Sequence, residues 1–175
     1  MSGVSLVIGS TGLIGKKLIF ELAKKDSEVI AITRRSINNL PENVTLLDIN
    51  FDDFLDNGSL PSCDHIYICL GTTIKKAGSQ SEFKKVDFDY SVSFARKARE
   101  AGATKISLVS SVGANPYSKN FYLKIKGEVE EEIKKIDFQS INIFRPSLLL
   151  GHREDRRFLE KIGQNLSSFI NFFLI

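Results

Sequence analysis

The sequence predicts an α/β fold built on a doubly wound, mostly parallel sheet with helices on both faces. Three observations predict it. Short β-branched runs alternate with longer stretches of helical periodicity, a glycine-rich loop joins the first run to the first helix, and 175 residues suit one domain with a sizeable core. Strands alternating with helices of this length imply βαβ units, whose right-handed crossovers place helices on both sides of the sheet.

Each element has its own signal. Residues 5–8 form an apolar strand, and 12–25 a helix with Leu13, Leu18, Ile19 and Leu22 on one side. Strands follow at 28–33 and 44–48, the second after a turn around Asn38-Asn39-Leu40-Pro41. Residues 53–63 read as a loop or short helix, and 65–70 as a fourth strand. Phe83, Val86, Tyr90, Phe94 and Ala98 mark a long helix over 82–101, which Gly102 ends. A strand over 105–110, a helix over 121–136 and a strand over 139–144 complete the pattern, with an amphipathic stretch at 155–169. The apolar end, 169–175, either packs or precedes a tail that has been lost.

Composition excludes several classes. A net charge of +3, with Lys and Arg interrupted by acids, does not make the clustered basic face that nucleic acid demands. Glu130-Glu131-Glu132 before Lys134-Lys135 reads as a solvated helix face. No apolar run reaches the roughly 18–20 residues needed to cross a bilayer. Cys63 and Cys69 are too few for a disulfide framework, and no secretory signal opens the chain. The expected setting is the cytoplasm. His65 and His152 lie far apart, with no metal-binding spacing around them.

The chemistry begins at Gly9-Ser10-Thr11-Gly12-Leu13-Ile14-Gly15, which has G-x-x-G-x-x-G spacing between strand and helix. Gly9 permits a tight turn, Gly12 lets backbone approach a pyrophosphate, and Gly15 allows the helix to pack closely on the sheet. Ser10 and Thr11 add hydroxyl donors. The spacing is one residue longer between its first two glycines than the common dinucleotide fingerprint, but it stands in the strand–loop–helix context which that fingerprint requires, so a dinucleotide site of a Rossmann-type fold is expected. At the end of the second strand, where an acid would hold the adenosine ribose, stand Thr33, Arg34 and Arg35. Two guanidiniums suit a 2′-phosphate, so NADP(H) is favoured over NAD. Asp48, ending the third strand, is placed to reach the adenine amino group.

Tyr122 and Lys126 are four apart on one helix and share a face. An ammonium beside a phenol favours the phenolate, so Tyr122 can give a proton in reduction and take one in oxidation. Lys126 can also hold the nicotinamide ribose. Ser110 and Ser111 end the preceding strand, where ligands of open parallel sheets bind. Leu70, Gly71, Thr72 and Thr73 close the fourth strand near the expected path of the cofactor, and Arg145, Pro146, Ser147 and Leu148 follow the sixth.

Taken in order, the glycine loop, the Ser-Ser strand end and Tyr122-x-x-x-Lys126 resemble short-chain dehydrogenase/reductases. The nearer resemblance is to the atypical NmrA-like and epimerase-like branch, and within it to the Tat-interacting oxidoreductase-like group. It is carried by segments 69–73, 85–89, 108–114, 122–130 and 144–151. The resemblance implies Tyr122 and Lys126 as the catalytic pair and Ser111 as catalytic serine, with Ser110 its rival. The relay Asn of many relatives is not evident, and Asp87 stands nearby. The resemblance also implies a C-terminal extension that helps form the substrate side of the cleft, and the expectation is one domain over 1–175 without it. Two functions stay open: an NADP-dependent oxidoreductase of a small carbonyl or hydroxyl substrate, and a non-catalytic NADPH-binding sensor or scaffold. The expected partners are a small-molecule substrate and either a second copy or a regulatory protein, with neither nucleic acid nor membrane.

Overall fold

The computed structural model describes residues 3–25, 28–34, 37 and 39–147. The expected helix at 155–169 and the apolar end lie outside them, as do Arg35, Leu148 and His152. Six strands form one sheet: β1 (Val4–Ile8), β2 (Glu28–Thr33), β3 (Val44–Asp48), β4 (His65–Ile68), β5 (Lys105–Val109) and β6 (Ser140–Phe144). Their order is β3-β2-β1-β4-β5-β6, and every pairing is parallel. The predicted fold class is the observed one. Between β1 and β4 the winding reverses, and a ligand crevice opens beyond the strand ends at such a point.

Side-chain alternation along each strand builds two cores. Leu6, Ile8, Ile30, Ile32, Ile66, Ile68, Ile106 and Leu108 face one way. They meet Phe51 and Phe54 of α2 (Phe51–Asn57), with Val129 and Ile133 of the helix over Phe121–Lys134. The helical run from 80 to 100 lies on the same side through Tyr90, Phe94 and Ala98. Burying each of these large side chains contributes about 1.5–3 kcal/mol. The opposite core gathers Val7, Val29 and Ala31 against Ile19 and Ala23 of α1 (Leu13–Ala23).

Beyond α1, that second face carries a groove of about 700 Å³ along β4, β5 and the end of β6, lined by His65, Tyr67, Ser107 and Phe144 among others. His65 stacks on Tyr67 with ring centroids 4.0 Å apart and shares a 3.0 Å hydrogen bond with Ser107. Burial, with the Lys105 charge adding to it, lowers the His65 pKa to about 4, so the ring is neutral at pH 7. Of the expected cofactor contacts among the described residues, only Ile14 and Pro146 line this groove. Its chemistry is apolar, and Tyr122 and Lys126 are not part of it.

The long helix departs from expectation. It is α4 (Gln80–Lys84), a π-helical segment over Lys85–Asp89, and α5 (Tyr90–Glu100), preceded by the short α3 (Ile74–Ala77). A π turn inserts a residue into the helical repeat, so side chains after it take a different face from the one a 3.6-residue period assigns. α6 (Phe121–Lys134) starts at Asn120, whose side chain accepts from the Leu123 amide at 3.2 Å. Gly127 sets how close it packs, because a Cβ there would lie 2.2 Å from Pro116 N.

Candidate active site

Parallel strands bring all their carboxyl ends to one edge. Gly9 follows β1, Arg34 follows β2, Asp48 ends β3, Gly71 follows β4, Ser111 follows β5 and Pro146 follows β6. Six separate stretches of sequence therefore lie along one edge of the sheet.

At its centre the glycine loop is held by backbone. Gly9, at φ +80, has no room for a side chain, since a Cβ would lie 2.5 Å from the Cys69 carbonyl oxygen. A Cβ on Gly15 would fall 2.3 Å from the Gly9 oxygen. At Gly12 it would meet that oxygen at 3.1 Å and then nothing nearer than 4.0 Å. No side chain caps α1 at Gly12. A cradle of backbone with an uncapped helix start suits a pyrophosphate, so the residues fit the dinucleotide that the sequence implies. Thr11 is exposed and Leu13 half-buried beside this loop. Ser10 takes a different role: its buried hydroxyl donates to the Ile32 carbonyl at 2.8 Å, tying β1 to β2. Its side chain is spent on the fold and corrects the expectation of a hydroxyl donor to cofactor.

At the ends of β2 and β3, Asp48 lies opposite Thr33 in the sheet register, beside Arg34. Asp48 and Arg34 are both exposed. The Arg34 guanidinium lies 5.0 Å above the Phe51 ring, a cation–π contact that sequence reading missed.

At the other end stand Tyr122 and Lys126 on α6. The Lys126 ammonium lies 6.0 Å from the Tyr122 ring centroid, and that ring packs 5.6 Å from Phe83. The lysine is 7% exposed and pairs with Asp87 at 2.6 Å, a carboxylate with no exposure at all. The second Asp87 oxygen accepts from the Thr72 amide at 3.0 Å. Burial raises the Asp87 carboxyl above its ordinary value, against the opposing pull of Lys126 and Thr72. Gly71 covers the pair: a Cβ there would sit 3.8 Å from the ammonium and 3.9 Å from the carboxylate. Thr73 accepts from the Lys76 amide at 3.1 Å as the cap of α3, and Leu70 packs on the main core.

The two serines separate. Ser110 is buried and donates at 2.5 Å to Glu130, which Arg145 also engages with Nε at 2.9 Å and with a second guanidinium nitrogen. Ser111 is half-exposed, its hydroxyl 3.3 Å from the Val112 carbonyl. The loop after it lies on the first turn of α6, where Asn115 N donates to the Leu123 carbonyl at 3.1 Å. Ser110 belongs to a latch joining β5, α6 and β6, which leaves Ser111 as the serine at the crevice. Glu130 is 1% exposed, which corrects the reading of 130–132 as a solvated face. Among the described residues, the surface pairs along that helix and its C-terminal end are Lys124–Glu128, Lys134–Glu131 and Lys135–Glu132. Burial pushes the Glu130 carboxyl up, but the bonds from Arg145 and Ser110 outweigh it and hold the group below its ordinary 4.5. Pro146 accepts from the Val112 amide at 3.1 Å, and Ser147 is exposed beyond it.

A model of the NAD dependent epimerase/dehydratase family matches residues 5–165. The chain belongs to this family. Among curated relatives, Protein FMP52, mitochondrial, of Candida albicans is 34% identical over 158 residues, covering 86% of this chain and 69% of that protein. The protein of the same name in Saccharomyces cerevisiae is 34% identical over 170 residues, or 93% and 72%. Protein HTATIP2 of Rattus norvegicus is 33% identical over 160 residues, 86% of this chain and 64% of the rat protein. The epimerase-like relationship and the Tat-interacting branch read from the motifs are thus found. Human SDR39U1, solved with NADPH, superposes at TM-score 0.66 with 19% identity, over 89% of this chain and 58% of that one. WbmH of Bordetella bronchiseptica, solved with NAD+, superposes at 0.70 with 12% identity, over 94% and 64%. At those identities the likeness is one of fold, and it is the NAD(P)-binding Rossmann fold.

One expectation of this family member is overturned. The fungal relatives are named as mitochondrial, against the cytoplasmic setting read from cysteine usage, the lack of a secretory signal and the lack of a membrane-length apolar run. Cys63 and Cys69 are free thiols, pushed up by burial to about 11 and about 12. Two inert thiols do not distinguish one reducing compartment from another.

Proposed function

We propose that this family member is an NADP(H)-dependent oxidoreductase of a small carbonyl or hydroxyl compound, working in mitochondria as its fungal relatives are named to do. The observation that carries the reading is the buried Lys126, four residues from Tyr122 and roofed by Gly71 at the end of β4. A buried ammonium beside a phenol at a strand-end crevice suits proton transfer to an oxygen. A bound nicotinamide supplies the hydride donor or acceptor. Tyr122 gives its phenolic proton to the substrate oxygen in reduction and recovers it in oxidation. Lys126 steadies the phenolate and offers donors to the nicotinamide ribose, and Ser111 donates to the substrate oxygen. Arg34 and Arg35 take the 2′-phosphate, and Asp48 accepts from the adenine amino group.

A non-catalytic NADPH-dependent sensor is the second reading. Asp87 favours it, because its carboxylate engages the ammonium that would otherwise support the phenolate.

Turnover separates the two. A panel of aldehydes and ketones is screened by loss of NADPH absorbance, and the best substrate is retested with Tyr122→Phe. Loss of a proton donor costs about 10²–10⁴-fold in rate, so turnover should fall by at least 10²-fold with NADPH affinity retained. Unchanged turnover in the variant removes Tyr122 from the reaction, and a panel without turnover on a protein that binds NADPH favours the sensor.

A further inference from the structure

The reaction just described makes no use of Asp87, yet its carboxylate is fixed from two sides. The π-helical segment supplies it, the Thr72 amide after β4 holds one oxygen, and Lys126 on α6 holds the other. We infer that Asp87 is a positioning residue, which fixes the Lys126 ammonium beneath Gly71 before any dinucleotide arrives. This rests on the reading that a dinucleotide binds along the crevice.

A lysine has a long flexible stem, and an ammonium this deeply buried is unfavourable without a counter-charge. Unpaired, it would swing toward water on that stem. Glu130, one turn further along α6, does not serve, since Arg145 and Ser110 engage it. The carboxylate at 87 therefore decides where the ammonium sits. An amide at 87 would keep the shape and the Thr72 bond but lose the charge. Asp87 would act only through Lys126, and only on the half of the dinucleotide that Lys126 reaches.

The full chain is titrated with NADPH, NADH and ADP, the last lacking the nicotinamide ribose, as wild type, Asp87→Asn, Lys126→Met and the double variant. Asp87→Asn is expected to weaken NADPH binding about tenfold, the equivalent of one charged contact, and to leave ADP binding unchanged. The double variant should bind no worse than Lys126→Met alone. Wild-type affinity for NADPH in Asp87→Asn overturns the inference, as does a parallel loss of ADP binding or an added loss in the double variant. Wild type that binds neither NADPH nor NADH overturns the cofactor reading with it. If Asp87→Asn does not fold, nitrogen-labelled wild type supplies the test. A slowly exchanging ammonium signal without cofactor, missing in Lys126→Met, is expected, and no such signal overturns the inference.

Discussion

Gly15→Ala is expected to unfold at a lower temperature than wild type and to lose dinucleotide binding, whereas Gly12→Ala is expected to lose the binding alone. At 15 the new Cβ would lie 2.3 Å from the Gly9 oxygen and 2.9 Å from the Gly9 carbon, and both atoms are backbone. α1 has to move off the sheet, at the cost of about 1–3 kcal/mol for overpacking. For a chain of this size that is about 2–4 °C in melting temperature per kcal/mol. At 12 the nearest atom would be the Gly9 oxygen at 3.1 Å, so a small adjustment restores the fold. The methyl would then stand where a pyrophosphate has to approach, and affinity should fall by at least tenfold. Thermal denaturation and titration of both variants give the two answers separately. Equal binding by Gly12→Ala and wild type would mean that the glycine loop serves only the packing of α1.

The second large effect is on stability. Arg145→Ala leaves the Glu130 carboxylate buried with only the Ser110 hydroxyl of its two partners. Breaking a buried pair from one side costs about 3–5 kcal/mol, and half-exposed Arg145 places this one near the lower end. The pH dependence gives the sign. In wild type the Glu130 pKa is held below its ordinary 4.5, so the stability it adds is present above that value and lost as pH falls through the folded pKa. In Arg145→Ala burial is left to act and raises the pKa. The folded state then binds the proton first, and the deficit shrinks as pH falls toward 5. Denaturant unfolding of both proteins at pH 7 and pH 5 measures it. A deficit that is the same at both would mean that Glu130 is not the group left unpaired.

Much of this molecule is legible in its sequence because the informative features are local. The strands at 28–33 and 44–48 fall on β2 and β3 as read, and Gly9, Gly12 and Gly15 carry their meaning in their spacing. Tyr122 and Lys126 show as a pair because four residues make one helical turn. Other features depend on tertiary structure. Ser110 and Ser111 are equivalent as letters, and a buried Glu130 twenty residues away tells them apart. Glu130 sits among acids and lysines that resemble a solvated face, although its i+4 relation to Lys126 puts it on the side of that lysine. Asp87 is buried where a π turn shifts the helical repeat, and no 3.6-residue count finds it. The one signal available was a lone acid between Val86 and Phe88, both of which pack on the core.

The central claim is that this crevice binds a nicotinamide dinucleotide and selects it by the 2′-phosphate. Calorimetric titration of NADPH and NADH into wild type and into Arg34→Ala/Arg35→Ala tests it most directly. The account predicts that NADPH binds more tightly than NADH, and that the double variant loses the difference while keeping its affinity for NADH. A protein that binds neither cofactor, or a double variant that still prefers NADPH, would contradict it.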